Sequence, residues 1–157
     1  MDVLARPAEE FDNDSLVEEM WAMKAFEHAE VYFNLLCSVD PRGLRLTPYD
    51  DEIYTTFRQD FPHMDVKCID ENEIKSAEGK VKWRSFIEKF NKLDDYSFGS
   101  LIRTDASREF GPDNSILVIR IQFWAIEISR NREGLNDYIR EKHRKEKGSS
   151  SSDTKKE

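Results

Sequence analysis

The stretch VIRIQFWAIEISRNREGLND, Val118 to Asp137, decides how this chain is read. Its first half is an apolar run interrupted only by Arg120, Gln122 and Glu127, and it leads directly into Arg130-Asn131-Arg132. Ile121, Trp124, Ala125 and Ile128 recur at helical spacing, which predicts a helix ending near Gly134, although the β-branched content would also suit a longer strand. A buried element ordinarily ends in a turn and then a solvated loop. Here it ends in planar guanidinium groups, which hold carboxylates and backbone oxygens in fixed geometry better than lysine does. The segment reads as a core element whose end orders a polar network or a partner surface.

Upstream, Ser15 and Glu18 have capping-box spacing, and Ala22, Ala25, Phe26, Ala29, Tyr32, Phe33 and Leu36 form an amphipathic stripe. Pro41 and Gly43 close that first helix. A second is predicted from Thr47 as cap and Pro48 at the first helical position, with Asp50, Asp51 and Glu52 at the positive dipole end. Its stripe of Tyr49, Ile53 and Phe57 stops at Phe61-Pro62. Asp70 with Glu73 suggests another cap, and Ser76 opens a helix to about Asn91 lined by Trp83, Phe86, Ile87 and Phe90. Phe98, Leu101 and Ile102 look extended, as do Ile116 to Ile119. Gly111-Pro112-Asp113-Asn114 lies between the two runs and predicts an antiparallel hairpin with a long loop. One or two helical turns follow from Leu135 to His143. The expected fold is α+β: a mostly helical single domain over residues 14–143 with one small antiparallel β-hairpin, a flexible N-terminus (1–13) and a disordered tail (144–157) without an apolar residue.

The chain has 157 residues, enough for one domain with a real core, and its 10 Phe, 5 Tyr and 3 Trp supply apolar area to fill it. The net charge of −8 is uneven: 9 Lys/Arg against 6 Asp/Glu from Arg130 onward, but 15 against 26 before it. An acidic body disfavours phosphate-rich nucleic acid and membrane surfaces, and it suits a basic protein partner as well as simple solubility. No apolar run is long enough to span a membrane, and the opening MDVLARPAEEFDND has neither the basic nor the apolar region of a secretory signal. Cys37 and Cys68 form no CxxC pattern and read as reduced core thiols, so a cytoplasmic protein is expected.

Enzyme signatures are sparse. The six glycines lie far apart, so no phosphate-cradling loop and no nucleotide cofactor is expected. His28, His63 and His143 show no metal-ligand spacing, and His28 beside an apolar stripe reads as structural. Asp50-Asp51-Glu52 and Asp94-Asp95 are accounted for by a helix N-terminus and a turn. Three features stand out as partner-binding candidates instead. Arg103 and Asp105 end the first strand, where Asp105 and Ser107 could equally satisfy a turn. Arg120 and Gln122, with Glu127, lie inside a buried run, where one of them is expected to pair with Asp105 because an isolated buried charge is costly. Arg130, Asn131 and Arg132, followed by Asn136-Asp137, form the third and densest donor group. Trp21 and Met23, off the first stripe, could add an adaptable apolar contact.

Five blocks carry a family resemblance: MWAMKAFEHAEVYFNLLCSVD (Met20 to Asp40), LRLTPYDDEIYTTFRQDFP (Leu44 to Pro62), KWRSFIEKF (Lys82 to Phe90), YSFGSLIRTDAS (Tyr96 to Ser107) and the Val118 to Asp137 stretch. In this order they resemble the small eukaryotic family labelled polysaccharide biosynthesis domain-containing, over about residues 14 to 140. The resemblance implies a dedicated, ATP-independent chaperone, not an enzyme. It would bind the nascent GTP-binding domain of translation elongation factor 1-alpha and release it on GTP binding. A monomer is expected, working near the ribosome or other nascent-chain factors. An RNA-binding module using Arg120, Arg130 and Arg132, or an enzyme of sugar metabolism as the family label suggests, are the alternative readings.

Overall fold

The computed structural model describes residues 15–143 and residue 145. The expected N-terminal segment 1–13, the tail other than residue 145, the side chains of the Ser15/Glu18 cap and that of Trp21 lie outside what is described. Helix α1 (Ser15–Ser38) carries the first stripe, of which Ala25, Ala29, Tyr32 and Leu36 are buried. Phe26 departs from expectation: it is 55% exposed.

A short 3-10 turn (Pro41–Gly43) leads to α2 (Asp50–Asp60). The second helix starts later than Thr47-Pro48 predicts, and the reason is Asp50. Its carboxylate is buried and accepts from Leu46 N (2.7 Å), Thr47 N (2.7 Å) and Thr47 Oγ1 (2.8 Å), while Thr47 Oγ1 accepts from Tyr49 N (2.8 Å). These bonds hold residues 46–49 as a turn and leave Tyr49 exposed instead of on the stripe. Ile53 and Phe57 are buried as expected.

Both predicted caps downstream are present. Asp70 accepts from Asn72 N at the start of α3 (Glu71–Lys75), and Ser76 accepts from Gly79 N at the start of α4 (Ala77–Glu88). A Cβ on Gly79 would lie 2.3 Å from the Glu73 carbonyl oxygen, so only glycine permits the tight turn from α3 into α4. Helix α4 ends at Glu88, short of Asn91, yet Phe90 remains buried. Trp83 stacks on Phe61 at 4.4 Å and on Phe57 at 5.7 Å, with Phe86 edge-on, and this aromatic group joins α2 to α4.

Strands β1 (Gly99–Arg103) and β2 (Ser115–Ile119) form the expected antiparallel hairpin, with Leu101 opposite Leu117. The loop between them is tied by Asn114, whose side chain accepts from Thr104 Oγ1 and Asp105 N and donates to the Asp105 and Glu109 carbonyls. It also pairs with residues 67–69 through Ile69 N to Thr104 O and Ala106 N to Lys67 O. Cys68 sits in that pairing with its side chain outward, since its neighbour Ile69 turns inward; the thiol is exposed, not in the core.

Helix α5 (Arg120–Arg132) settles the ambiguity of the opening stretch in favour of helix. Gln122 caps it, its side-chain oxygen accepting from Ile119 N at 3.1 Å. Residues 121–123 and 125–131 are buried, so α5 is enclosed nearly all round and runs through the centre of the domain. Gly134, at φ +82°, turns the chain into α6 (137–143). The architecture is therefore α+β and mostly helical, with one two-stranded sheet among the described residues. Among the described residues no helix is long and apolar enough to cross a membrane.

His28 on α1 packs edge-to-face on Phe123 of α5 at 5.1 Å. Burial and the nearby Arg120 charge lower its pKa from 6.5 to about 4. Below pH 6.5 the unfolded chain takes up a proton that folded His28 refuses until about pH 4. This contribution to stability is complete above pH 6.5 and lost as pH falls toward 4. Replacing His28 with Gln should reduce the drop in urea midpoint between about pH 7.5 and about pH 5, conditions chosen to bracket its titration. An identical drop in both proteins would exclude His28 as its source.

Candidate functional site

The donor-rich end of α5 is internal. Arg130 is 0% exposed and donates from Nε to Val66 O (2.6 Å), from Nη2 to Arg103 O (2.7 Å) and from Nη1 to Glu127 Oε2 (2.7 Å). Arg103, also 0% exposed, donates to Ala106 O (2.8 Å) and Asn136 Oδ1 (2.6 Å), and its Nη2 lies 3.8 Å from Glu127 Oε1. Glu127 Oε1 further accepts from Tyr32 OH and Asn136 Nδ2, both at 3.0 Å. Asn131 joins by donating to Tyr32 OH and accepting from Asn136 Nδ2. Tyr138 OH donates to Ala106 O. This closed network ties α1, β1, the 66–69 segment, α5 and the start of α6.

Its electrostatics follow from one anion between two cations. Burial by itself would push the Glu127 carboxyl up, but Arg130 and Arg103 outweigh it and hold it below the ordinary glutamate range. Burial pulls Arg130 down, against the Glu127 charge that raises it. Burial, and then Glu127, push Tyr32 upward, keeping its hydroxyl a donor.

The seven sequence candidates thus do not share one surface. Arg103, Gln122, Arg130 and Asn131 are buried, with hydrogen-bond partners inside the domain, so they correct the expectation of a partner-binding arginine cluster. Buried charge pairs with Glu127 and not, as expected, with Asp105. Asp105 closes a turn by accepting from Ser107 N (2.9 Å) and Ser107 Oγ (2.6 Å). Arg120 is half-buried and donates to Ser100 Oγ at 2.6 Å. Only Arg132 of the seven is exposed; it pairs with Asp51 and lies over the Tyr54 ring.

Most of the large exposed apolar side chains lie on α1, with Tyr49 and Val81 exposed elsewhere. Met23 (64% exposed), Phe26 (55%) and Val31 (69%) stand out, and Met20 and Leu35 are exposed as well, with Phe26 and Leu35 on opposite sides of the helix. Phe26, Ala29 and Phe33 of α1 form one wall of a trough of about 240 Å³, and Phe110 from the hairpin loop forms the other. Glu30, Asn34 and Glu109 line its rim. A narrower recess sharing Phe33 and Glu109 continues toward Cys37 and Lys142. Beneath the trough the buried Arg103 guanidinium lies 5.7 Å from the Phe33 ring and 5.8 Å from that of Phe110. The loop wall is thereby anchored to the central network. Met23 is the one sequence candidate described on this surface. Phe26 belongs to the stripe expected to face the core, and Phe110 carries no local signal of its role. The available signal is that α1 has apolar residues around its whole circumference, more than one core-facing stripe needs. Among the described residues no group of three or more His, Cys, Asp or Glu is placed to hold a metal ion.

A mostly helical α+β domain locked by buried arginines, with an uncovered apolar helix flank, is the class of structure in hand. The chain belongs to the PBDC1 family: the family model described as "PBDC1 protein" matches residues 17–141, the family that the five sequence blocks resemble. It is 47% identical to human Protein PBDC1 over 137 residues, covering 87% of this chain and 59% of that protein. It is also 47% identical to the Saccharomyces cerevisiae Protein PBDC1 homolog over 137 residues, covering 84% of this chain and 94% of the yeast protein. A Saccharomyces cerevisiae protein solved by solution NMR has the same fold, with a TM-score of 0.77 and 48% identity over 85% of this chain and 94% of that one. The chain spans less than two thirds of the human relative's length.

Proposed function

We propose that this chain is a cytoplasmic, ATP-independent chaperone for the nascent GTP-binding domain of translation elongation factor 1-alpha, acting at the ribosome. The observation that carries this reading is the exposed group Met20, Met23, Phe26, Val31 and Leu35 on one helix of an acidic chain. A small domain rarely leaves so much adaptable apolar surface on one helix without a partner for it. A GTPase domain still lacking its nucleotide offers mobile switch segments with apolar faces and unpaired backbone. Shielding such a segment requires no chemistry, only a preformed surface of the right shape and charge. An RNA-binding reading would need Arg120, Arg130 and Arg132 on one face, and Arg130 has no surface.

Dilution of the denatured GTP-binding domain into buffer tests the reading. A stoichiometric amount of the full chain should suppress light scattering without ATP, and should not do so for an unrelated GTPase. Scattering unchanged at several-fold excess sinks the proposal.

A further inference from the structure

The trough between α1 and the hairpin loop has the shape and charge of a receptor for one kind of segment. We infer that it seats a basic amphipathic helix supplied by the partner, with apolar side chains packed on Phe26, Phe33 and Phe110 and cationic ones against Glu30 and Glu109. The inference rests on the capture reading for the source of that helix, but its chemistry comes from the trough itself.

Four observations select this occupant. The trough and its recess follow α1 from Phe26 to Cys37, about 16 Å at the helical rise per residue. That is about three turns, enough for apolar anchors at i, i+4 and i+7 of a docked helix. The walls are side chains of a helix and a loop, with no open strand edge, so a bound segment must satisfy its backbone internally, as a helix does. The rim of the trough is anionic, although Lys142 and His143 line the recess at its far end: Glu30 and Glu109 are exposed and have no ion-pair partner among the described residues, and Glu27 nearby is held only by Lys24 at 3.7 Å. Finally, the other occupants fit poorly. A second copy would set these carboxylates against each other. Residues 1–14 carry five acidic residues against the single cation Arg6, and residues 144–157 contain no apolar residue to fill the trough.

The probe is a fluorescently labelled helix of Leu and Lys, about five turns long, with a Leu/Glu helix of the same apolar face as its counterpart, titrated with the full chain. The Lys helix should bind, and the Glu helix should bind about tenfold or more weakly. Phe26→Asp should remove Lys-helix binding by a similar factor with an unchanged circular dichroism spectrum, because Phe26 is already half in water. The double variant Glu30→Lys/Glu109→Lys should reverse the preference between the two helices. Equal binding of both helices, or wild-type binding by the Phe26→Asp variant, overturns the inference. The scattering assay separates it from the broader reading. If wild type protects the client and Phe26→Asp protects equally well, the trough is not the client's site although capture stands. If wild type fails to protect, capture itself is wrong, whereas the peptide titration still reports on the trough.

Discussion

Replacing Glu127 with Ala should destabilise the domain by about 3–5 kcal/mol, a large part of the roughly 5–15 kcal/mol that holds a domain of this size together. Glu127 is 1% exposed and, among the described residues, is the carboxylate that meets both Arg103 and Arg130, so its removal strands two buried cations and the donors of Tyr32 and Asn136. The urea midpoint should fall by on the order of 2 M. Arg130→Glu should be at least as damaging, because it adds a second anion beside Glu127 and abandons the Val66 and Arg103 carbonyls. Arg132→Glu, two residues along the same helix, should leave the urea midpoint nearly unchanged, since its pair with Asp51 is exposed to solvent. A Glu127→Ala protein with a wild-type midpoint would show that the network contributes no stability.

The network also sets a pH response. The folded pKa of Glu127 lies below its unfolded value, because Arg130 and Arg103 overcome the upward push of burial. Its contribution is therefore complete above the ordinary glutamate range, about pH 4.3, and is lost as pH falls through the lower folded value. The stability difference between wild type and Glu127→Gln should be constant near neutrality and shrink only at acid pH. A difference that shrinks instead between about pH 6 and 7, about two units above the glutamate range, would assign the effect to another group.

The second large effect concerns nucleotide. The proposed complex with the client's GTP-binding domain should loosen when GTP is added, because a switch segment ordered by nucleotide is withdrawn from capture. Linkage requires the reverse as well: this chain should lower the client's affinity for GTP by the same factor. That factor is expected between about 5-fold and 150-fold, the usual span of coupling between two sites. Titrating GTP into the purified complex while following dissociation measures it directly. A complex equally tight at saturating GTP would exclude release by switch ordering while leaving capture intact.

Much of the fold was legible because its signals are local. The Asp70 and Ser76 caps, the Ile53–Phe57 and Trp83–Phe86–Phe90 stripes and the Gly111–Asn114 turn cluster each depend on residues a few positions apart, and each is where expected. Thr47 and Pro48 misled because a stronger local acceptor, Asp50, turned inward and took the donors of that turn. The five blocks pointed to the family on sequence alone.

The interior and the surface of the site were decided elsewhere. Arg130 and Arg132 are nearly equivalent in sequence, but two residues on a helix are about 200° of rotation apart. One meets Glu127 and carbonyls of residues 66 and 103, and the other meets Asp51 and solvent. The sequence by itself determined that polar donors would end a buried helix and that α1 was apolar beyond one stripe. Which donors turned inward, and which flank of α1 stayed uncovered as the trough beside Phe110, depended on segments 27 to 99 residues away in the chain. Burial is a property of what packs against a residue, and those partners are brought together only when the chain has folded.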